Sequence, residues 1–324
     1  MTETNRNFRI IYFGSPDFAV PPLLALLQAG YDVPLAVTQP DRPKGRKRQL
    51  TPTAVRVAAE QAGIRVIASE NANQNDVVEE IDALKPDLLV VAAFGQIMHE
   101  KLVHTAKMGA INIHGSLLPE YRGASPIQQA LLDGRNETGV TIMYIASKLD
   151  AGDMLARRSI PIEPSDNTGT LREKLSALGT ALLLETIEQM RANKLVITPQ
   201  DETCATYAGK ITADMERLNW QKPAETLHNL VRALTPDASA YCEYAEPGKT
   251  ERLRLKVWQT QVADLAAEAP PGTVVACNKE GLLVATGKGA LKLITVQPAG
   301  KNQMNAAAWW RGRRDFQQTG LIFV

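Results

Sequence analysis

The chain has little cysteine, no long apolar run and no dinucleotide glycine fingerprint, and each shortage removes a class of function. Its three cysteines, Cys204, Cys242 and Cys277, lie far apart, with no C-x-x-C pair and no histidine at a metal-ligand spacing. A zinc site and a disulfide framework are therefore not expected, and the thiols read as reduced. The longest apolar run, LLVVAAF at 88–94, falls far short of the roughly 20 residues that span a bilayer. The opening MTETNRNFRI carries neither an apolar signal core nor an Arg/Ser-rich transit pattern, so a soluble, cytoplasmic protein with no membrane partner is expected. The first strand–helix turn, FGSPDFAVP, has one glycine where G-x-G-x-x-G needs three, which argues against NAD or a related cofactor.

What is present is an ordinary globular composition, 44% hydrophobic and 22% charged, in 324 residues. That length favours two domains over one. The net charge of +1 hides an asymmetry: residues 1–209 sum to −3 and residues 210–324 to +4. Inside the acidic part, RPKGRKR at 42–48 places five cations in seven positions. Charge so localised suggests an anionic partner that touches this loop and the second half.

Along the first half, apolar strand patterns alternate with helical ones. FRIIYFG, VPLAVTQ, IRVIAS, DLLVVAAFG, GAINIHG and GVTIMYIAS read as strands. DFAVPPLLALLQAG, TAVRVAAEQAG, NDVVEEIDALK, SPIQQALLDG and LREKLSALGTALLLETIEQMRAN read as helices, and 40–52 as a loop. Nearly continuous apolar strands separated by helices predict a Rossmann-like α/β domain with a largely parallel sheet covered on both faces. From about residue 195 the texture turns polar and irregular. After one more helix, PAETLHNLVRALT, short strands with Gly and Pro turns follow, predicting a small C-terminal β-barrel of the oligonucleotide-binding (OB-like) kind. The expected division is 1–192, a linker at 193–208, and 209–324.

INIHGSLLPEYRG, 111–123, holds the chemistry. Residues two apart on a strand face the same way, so Asn112 and His114 project together while Ile111 and Ile113 face the opposite side. They end a strand of a parallel sheet, where ligands sit, and Gly115 and Pro119 shape the loop that follows. Further on, KLDAGDML supplies Asp150 and Asp153 around Gly152. An aspartate beside a histidine fixes its tautomer and favours its charged form. Asn, His and Asp without a Ser or Cys nucleophile do not make a hydrolase triad. They suit transfer to a nucleophile that the substrate brings, with an amide and an imidazole stabilising a developing oxyanion.

INIHGSLLPEYRGASPIQQAL, GVTIMYIASKLDAGDML, FGSPDFAVPPL and TQPDRPKGRKRQLTP together resemble the methionyl-tRNA formyltransferases, within the wider group that uses 10-formyltetrahydrofolate. The resemblance continues through QDETCATYAGKI, PAETLHNLVRAL and VQPAGKNQM, covering essentially the whole chain. The H-G-S-L-L-P block marks only the wider group, and the basic loop and C-terminal domain narrow it to the tRNA enzymes.

The resemblance implies 10-formyltetrahydrofolate as formyl donor, the amino group of methionyl initiator tRNA as acceptor, no metal, and a monomer. It places Asn112, His114 and Asp150 on the family's catalytic positions. Ser116, Leu117, Leu118 and Pro119 match its folate-contacting stretch, with Phe94, Gly95, Gln96 and Ile97 as a wall on the pterin side. Arg42, Lys44, Arg46, Lys47 and Arg48 would contact the acceptor end of the tRNA, Arg46 as the discriminating residue. The chain departs from its relatives at Lys148, where they more often have glycine, and at Ala151, where they have threonine; a left-handed backbone at 148 would be strained. Two rival readings remain: a formyltransferase acting on an amino-sugar nucleotide or another small amine, and a catalytically silent RNA-binding module. Neither explains both RPKGRKR and an intact Asn112, His114 and Asp150.

Overall fold

The computed structural model describes residues 5–45, 48–263, 269–313, 316 and 320–324. These form two compact units. The first comprises residues 1–126, 137–161 and 172–209, and the second 127–136, 162–171 and 210–324.

The first unit begins with β1 (Arg9–Gly14), an apolar strand that is buried almost throughout. Gly14 ends it because a Cβ there would lie 2.7 Å from the Ala19 Cβ and 3.0 Å from the Ala92 carbonyl oxygen. The chain then runs through α1 (Val20–Gln28), β2 (Asp32–Thr38), β3 (Arg42–Lys44), β4 (Gln49–Thr51), α2 (Ala54–Gln61) and β5 (Arg65–Ala68). Thr53 caps α2 by accepting the Arg56 N–H. Next come α3 (Asn75–Ala83), β6 (Leu88–Ala92), α4 (Glu100–Val103), β7 (Ala110–His114), β8 (Arg122–Gly123), α5 (Pro126–Leu132), β9 (Glu137–Tyr144), β10 (Met154–Pro161), α6 (Thr168–Arg191) and β11 (Tyr207–Ala208); of these, α5 from residue 127 on and residues 168–171 of α6 belong to the second unit.

The main sheet has seven strands in the order β10-β9-β7-β6-β1-β2-β5. Five of them, from β7 to β5, pair in parallel, whereas β9 runs antiparallel to β7 and β10 antiparallel to β9. The sheet is therefore mixed, with its antiparallel part next to the strand that carries Asn112 and His114. The order reverses between β1 and β6, so the loops after β1, β6 and β7 open around one switch point, where open α/β sheets bind ligands. α6 lies close on β7: a Cβ at Gly179 would meet Ile113 at 2.8 Å. The expected loop at 40–52 instead contains a hairpin, β3 paired with β4, whose turn uses positive φ at Gly45 (72°) and Arg48 (47°).

In the second unit, α7 (Ala224–Leu234) precedes β12 (Ala240–Ala245), β13 (Arg252–Ala263), β14 (Val274–Cys277), β15 (Leu282–Ala285), β16 (Ala290–Pro298), β17 (Met304–Asn305) and α8 (Ala306–Arg311). The sheet is antiparallel, in the order β12-β13-β16-β15-β14, with β17 on β16. Its two edges meet the same terminal residues. Val274 N–H donates to the Leu321 carbonyl, and Val324 and Glu243 exchange both backbone hydrogen bonds. The core centres on Tyr244, Trp309, Phe316 and Phe323, with ring centroids 5.4–6.4 Å apart. Trp309 is thus a core anchor, and Arg313 lies over its ring at 5.0 Å. No helix among the described residues is long and apolar enough to cross a membrane.

Candidate active site

β7 places its residues as the alternation predicts. Ile111 and Ile113 are buried, Asn112 is half-buried, and His114 is 5% exposed. The Asn112 amide has no hydrogen-bond partner among the described residues. His114 Nε2 lies 2.9 Å from the Tyr121 carbonyl oxygen, which can only accept. Nε2 therefore carries its hydrogen in either protonation state, and Nδ1 is the atom that gains or loses a proton. Nδ1 lies 3.8 Å from Asp150 Oδ2. That distance supports an electrostatic contact but exceeds a hydrogen bond, so Nδ1 stays available to a third group.

Asp150 reaches His114 from a turn between β9 and β10. Its Oδ2 accepts the Gly123 N–H at 2.8 Å, and its own backbone is left-handed, φ 49°. Lys148 is not among the positive-φ residues, so the strained position is the aspartate itself. Lys148 instead pairs with Glu202. Gly152 is required here, since a Cβ would lie 1.8 Å from the Tyr144 carbonyl oxygen. Asp153 uses its carbonyl to accept the Tyr144 N–H, a strand-pairing role.

The loop after β7 is turned inward. Ser116 is fully buried and its hydroxyl donates to the Glu120 carbonyl at 2.6 Å. Thr141 on β9 donates to the Ser116 carbonyl at 2.7 Å and accepts the Leu118 N–H at 3.1 Å. Leu118 packs in the core against Met143 and Met154, while Leu117 and Pro119 are half-exposed. In the loop after β6, Phe94 is buried edge-on against Phe13, 5.3 Å between centroids. The Gln96 side chain is spent on the Ala72 N–H and the Ser69 carbonyl, both at 2.7 Å. Gly95, left-handed at φ 80°, and Ile97, 66% exposed, are its open positions.

Of the basic residues, Arg42, Lys44 and Arg48 are exposed on the hairpin, and Arg42 pairs with Glu70 at 2.6 Å. Arg46 and Lys47 lie outside the described residues.

Sequence reasoning missed a polar cluster beneath the Asp150 turn. Arg122 is fully buried, donates to Gln200 Oε1 from Nε at 3.0 Å and from one Nη at 2.8 Å, and reaches Glu202 at 2.8 Å. The Glu202 hydrogen bond holds the Arg122 guanidinium charged despite its burial. Hydrogen bonds from Arg122 and then Lys148 pull Glu202 down to about 2. A buried arginine inside YRG would have been a signal only if its carboxylate partner, 80 residues away, had been known.

The family model described as formyl transferase matches residues 7–187, and that of the formyl transferase C-terminal domain matches 210–314. The methionyl-tRNA formyltransferase of Geobacillus sp. (strain WCH70) is 46% identical over 305 residues, spanning 94% of each chain. That of Bacillus licheniformis is 48% identical over 305 residues, spanning 94% of this chain and 95% of its own. Among solved structures, an N-formyltransferase from Helicobacter canadensis shares the fold at TM-score 0.66 and 18% identity, covering 90% of this chain and 99% of that one. HypX from Aquifex aeolicus, solved with tetrahydrofolic acid, does so at 0.62 and 17%, over 93% of this chain, which spans about half of HypX (46%). With relatives this similar along almost its full length, the chain belongs to the methionyl-tRNA formyltransferase family.

Proposed function

We propose that the protein transfers a formyl group from 10-formyltetrahydrofolate to the amino group of methionyl initiator tRNA, the step that prepares that tRNA for translation initiation. The observation that carries this reading is an Asn112 amide with no partner among the described residues, on the same strand as a histidine whose Nε2 is tied to a carbonyl and whose Nδ1 faces a carboxylate. The amine brings its own electron pair, so no protein nucleophile is needed. As its nitrogen bonds to the formyl carbon, the Asn112 N–H donates to the oxygen where charge develops. His114, protonated on Nδ1, stabilises the same charge, and Asp150 keeps that imidazolium in place. The bond from the formyl carbon to N10 then breaks. One amine proton passes to Asp150, through water where it does not reach directly, and is handed on to N10 as it leaves, so the proton lost by the amine is the one N10 gains. An amide donor of this kind contributes about 3 kcal/mol of barrier lowering.

The donor's ring system is placed against the loops at 94–97 and 116–119. Gly95, Ile97, Leu117 and Pro119 offer accessible surface there, and Phe94, Gln96, Ser116 and Leu118 hold the loops in shape from beneath. Arg42, Lys44, Arg46, Lys47 and Arg48 meet the acceptor end of the tRNA, with phosphate contacts for affinity and Arg46 for discrimination. The domain division adopted is 1–192, 193–208 and 209–324. The closing hydrogen bonds of residues 321–324 to both sheet edges support reading the last domain as an OB-like barrel that also contacts tRNA. The protein acts in the cytoplasm as a monomer.

The test is a formyl-transfer assay with 10-formyltetrahydrofolate and three acceptors: methionyl initiator tRNA, methionyl elongator tRNA and a UDP-amino sugar. Transfer to the initiator alone is expected. Transfer to the sugar would replace the acceptor, and tRNA binding without transfer to any acceptor would favour the silent binding module.

A further inference from the structure

The stretch 198–208 does more than connect. Thr198 exchanges both backbone hydrogen bonds with Met154 at the start of β10. Thr206 accepts the Tyr121 N–H on its hydroxyl at 2.8 Å and the Arg122 N–H on its carbonyl at 2.8 Å. Tyr207 and Ala208 pair with Arg122 and Gly123 as β11 and β8. This strap thus fixes Tyr121, whose carbonyl holds His114, and Gly123, whose N–H holds Asp150.

Gln200 sits at its centre. Its Nε2 donates to the Asp150 carbonyl at 2.8 Å and to the Gly152 carbonyl at 2.7 Å, gripping the turn on both sides of Ala151. The direction of the amide is not arbitrary. Arg122 presents two N–H donors to Gln200 Oε1, so the oxygen must face the guanidinium and the NH2 group must face the two carbonyls. Arg122 is in turn steadied by Glu202, which Lys148 also holds. The turn needs such a grip because Asp150 occupies a left-handed backbone, φ 49°, that a non-glycine residue adopts only under strain.

We infer that Gln200, oriented by Arg122, is a positioning residue that holds Asp150 in its strained conformation and so sets its placement against His114. The inference rests on the proposed roles of Asp150 and His114. Gln200 touches neither substrate nor reacting atoms in this scheme; it acts through the Asp150 backbone alone.

Two replacements separate this from general packing. Gln200→Met keeps the volume and loses both donor and acceptor. Gln200→Glu keeps the Arg122 contact and turns a carboxylate oxygen toward two carbonyl oxygens, so either variant tests the grip if the other fails to fold. Single-turnover formyl transfer to methionyl initiator tRNA is measured for the wild type, both variants, Asp150→Asn, and Asp150→Asn combined with Gln200→Met. The expected result is a fall in rate of about 100-fold for the folded Gln200 variants, the scale of a 1 Å misplacement. KM for donor and tRNA should move less than about threefold, because the hydrogen bonds of Gln200 go to Arg122, Met143 and the Asp150 turn rather than to the loops that would hold them. With Asp150→Asn already in place, Gln200→Met should cost almost nothing further, since the two act as one unit. A folded Gln200 variant with wild-type rate would overturn the inference, as would an equal loss with and without Asp150. A wild-type protein that transfers no formyl group would instead overturn the functional reading, and the positioning role with it.

Discussion

Thr141→Val isolates a single side chain on which the loop after β7 depends. The hydroxyl of Thr141 is fully buried and spans two strands' worth of chain, donating to the Ser116 carbonyl and accepting from the Leu118 N–H. Valine has nearly the same shape and can do neither. Removing the hydroxyl takes away the partner of one buried carbonyl and one N–H, and each left unpaired costs about 1–3 kcal/mol. The added methyl recovers roughly 0.8 kcal/mol of apolar burial. The net loss should be about 1–5 kcal/mol in urea unfolding of the first unit, with the m-value unchanged. Thr141→Ser, which keeps the oxygen and sheds only a methyl, should lose about 1 kcal/mol. The loop also shapes one wall of the proposed folate site, so KM for the donor should rise in the valine variant and stay near wild type in the serine variant. A valine variant within about 0.5 kcal/mol of wild type would show that the loop holds itself without Thr141, and the reasoning would fail.

Asn112→Ala should lower kcat by roughly 100- to 1000-fold, the effect of deleting one oxyanion donor; steady-state kinetics with KM near wild type would assign the loss to the transition state. Arg46→Ala should narrow the preference for initiator over elongator tRNA while leaving folate binding intact, and an unchanged preference removes it from recognition. Burial, then the nearby Arg232, depresses His228 to about 4 from an ordinary 6.5. The unfolded chain therefore binds this proton more readily, so His228 contributes stability above pH 6.5 that is lost as pH falls from 6.5 through about 4. Denaturant midpoints should decline across that window, and His228→Gln should flatten the slope.

Much of the fold follows from short-range pattern. The apolar strands β1, β6 and β7 and the alternation along β13 are visible because each element's burial is written in its own period. β10 was missed because the adjacent Arg157 and Arg158, one on each face, break its apolar pattern at the edge of the sheet, and with it the antiparallel margin. β12 was missed because Ala240, Cys242 and Tyr244 form a short alternating set beside a polar turn. The basic hairpin read as a loop, since Pro43 and Gly45 suggest irregular chain, and only the pairing with 49–51 makes it a strand.

The site divides in the same way. Asn112 and His114 are legible because one strand carries both. Arg122 and Gln200 are not, because their meaning lies in contacts 78 residues apart, and a lone arginine or glutamine defaults to solvent. The family pattern points to Lys148 for a left-handed backbone, and the structure puts it at Asp150; backbone sign is a property of the assembled turn rather than of one residue type.

The most direct measurement is single-turnover formyl transfer from 10-formyltetrahydrofolate to methionyl initiator tRNA by wild type and by His114→Ala, with both substrates saturating and both dissociation constants measured. A fall in rate of about 1000-fold or more at unchanged affinities is expected, because His114 would act only on charge that develops in the transition state. A His114→Ala protein that transfers formyl at close to the wild-type rate would contradict the account.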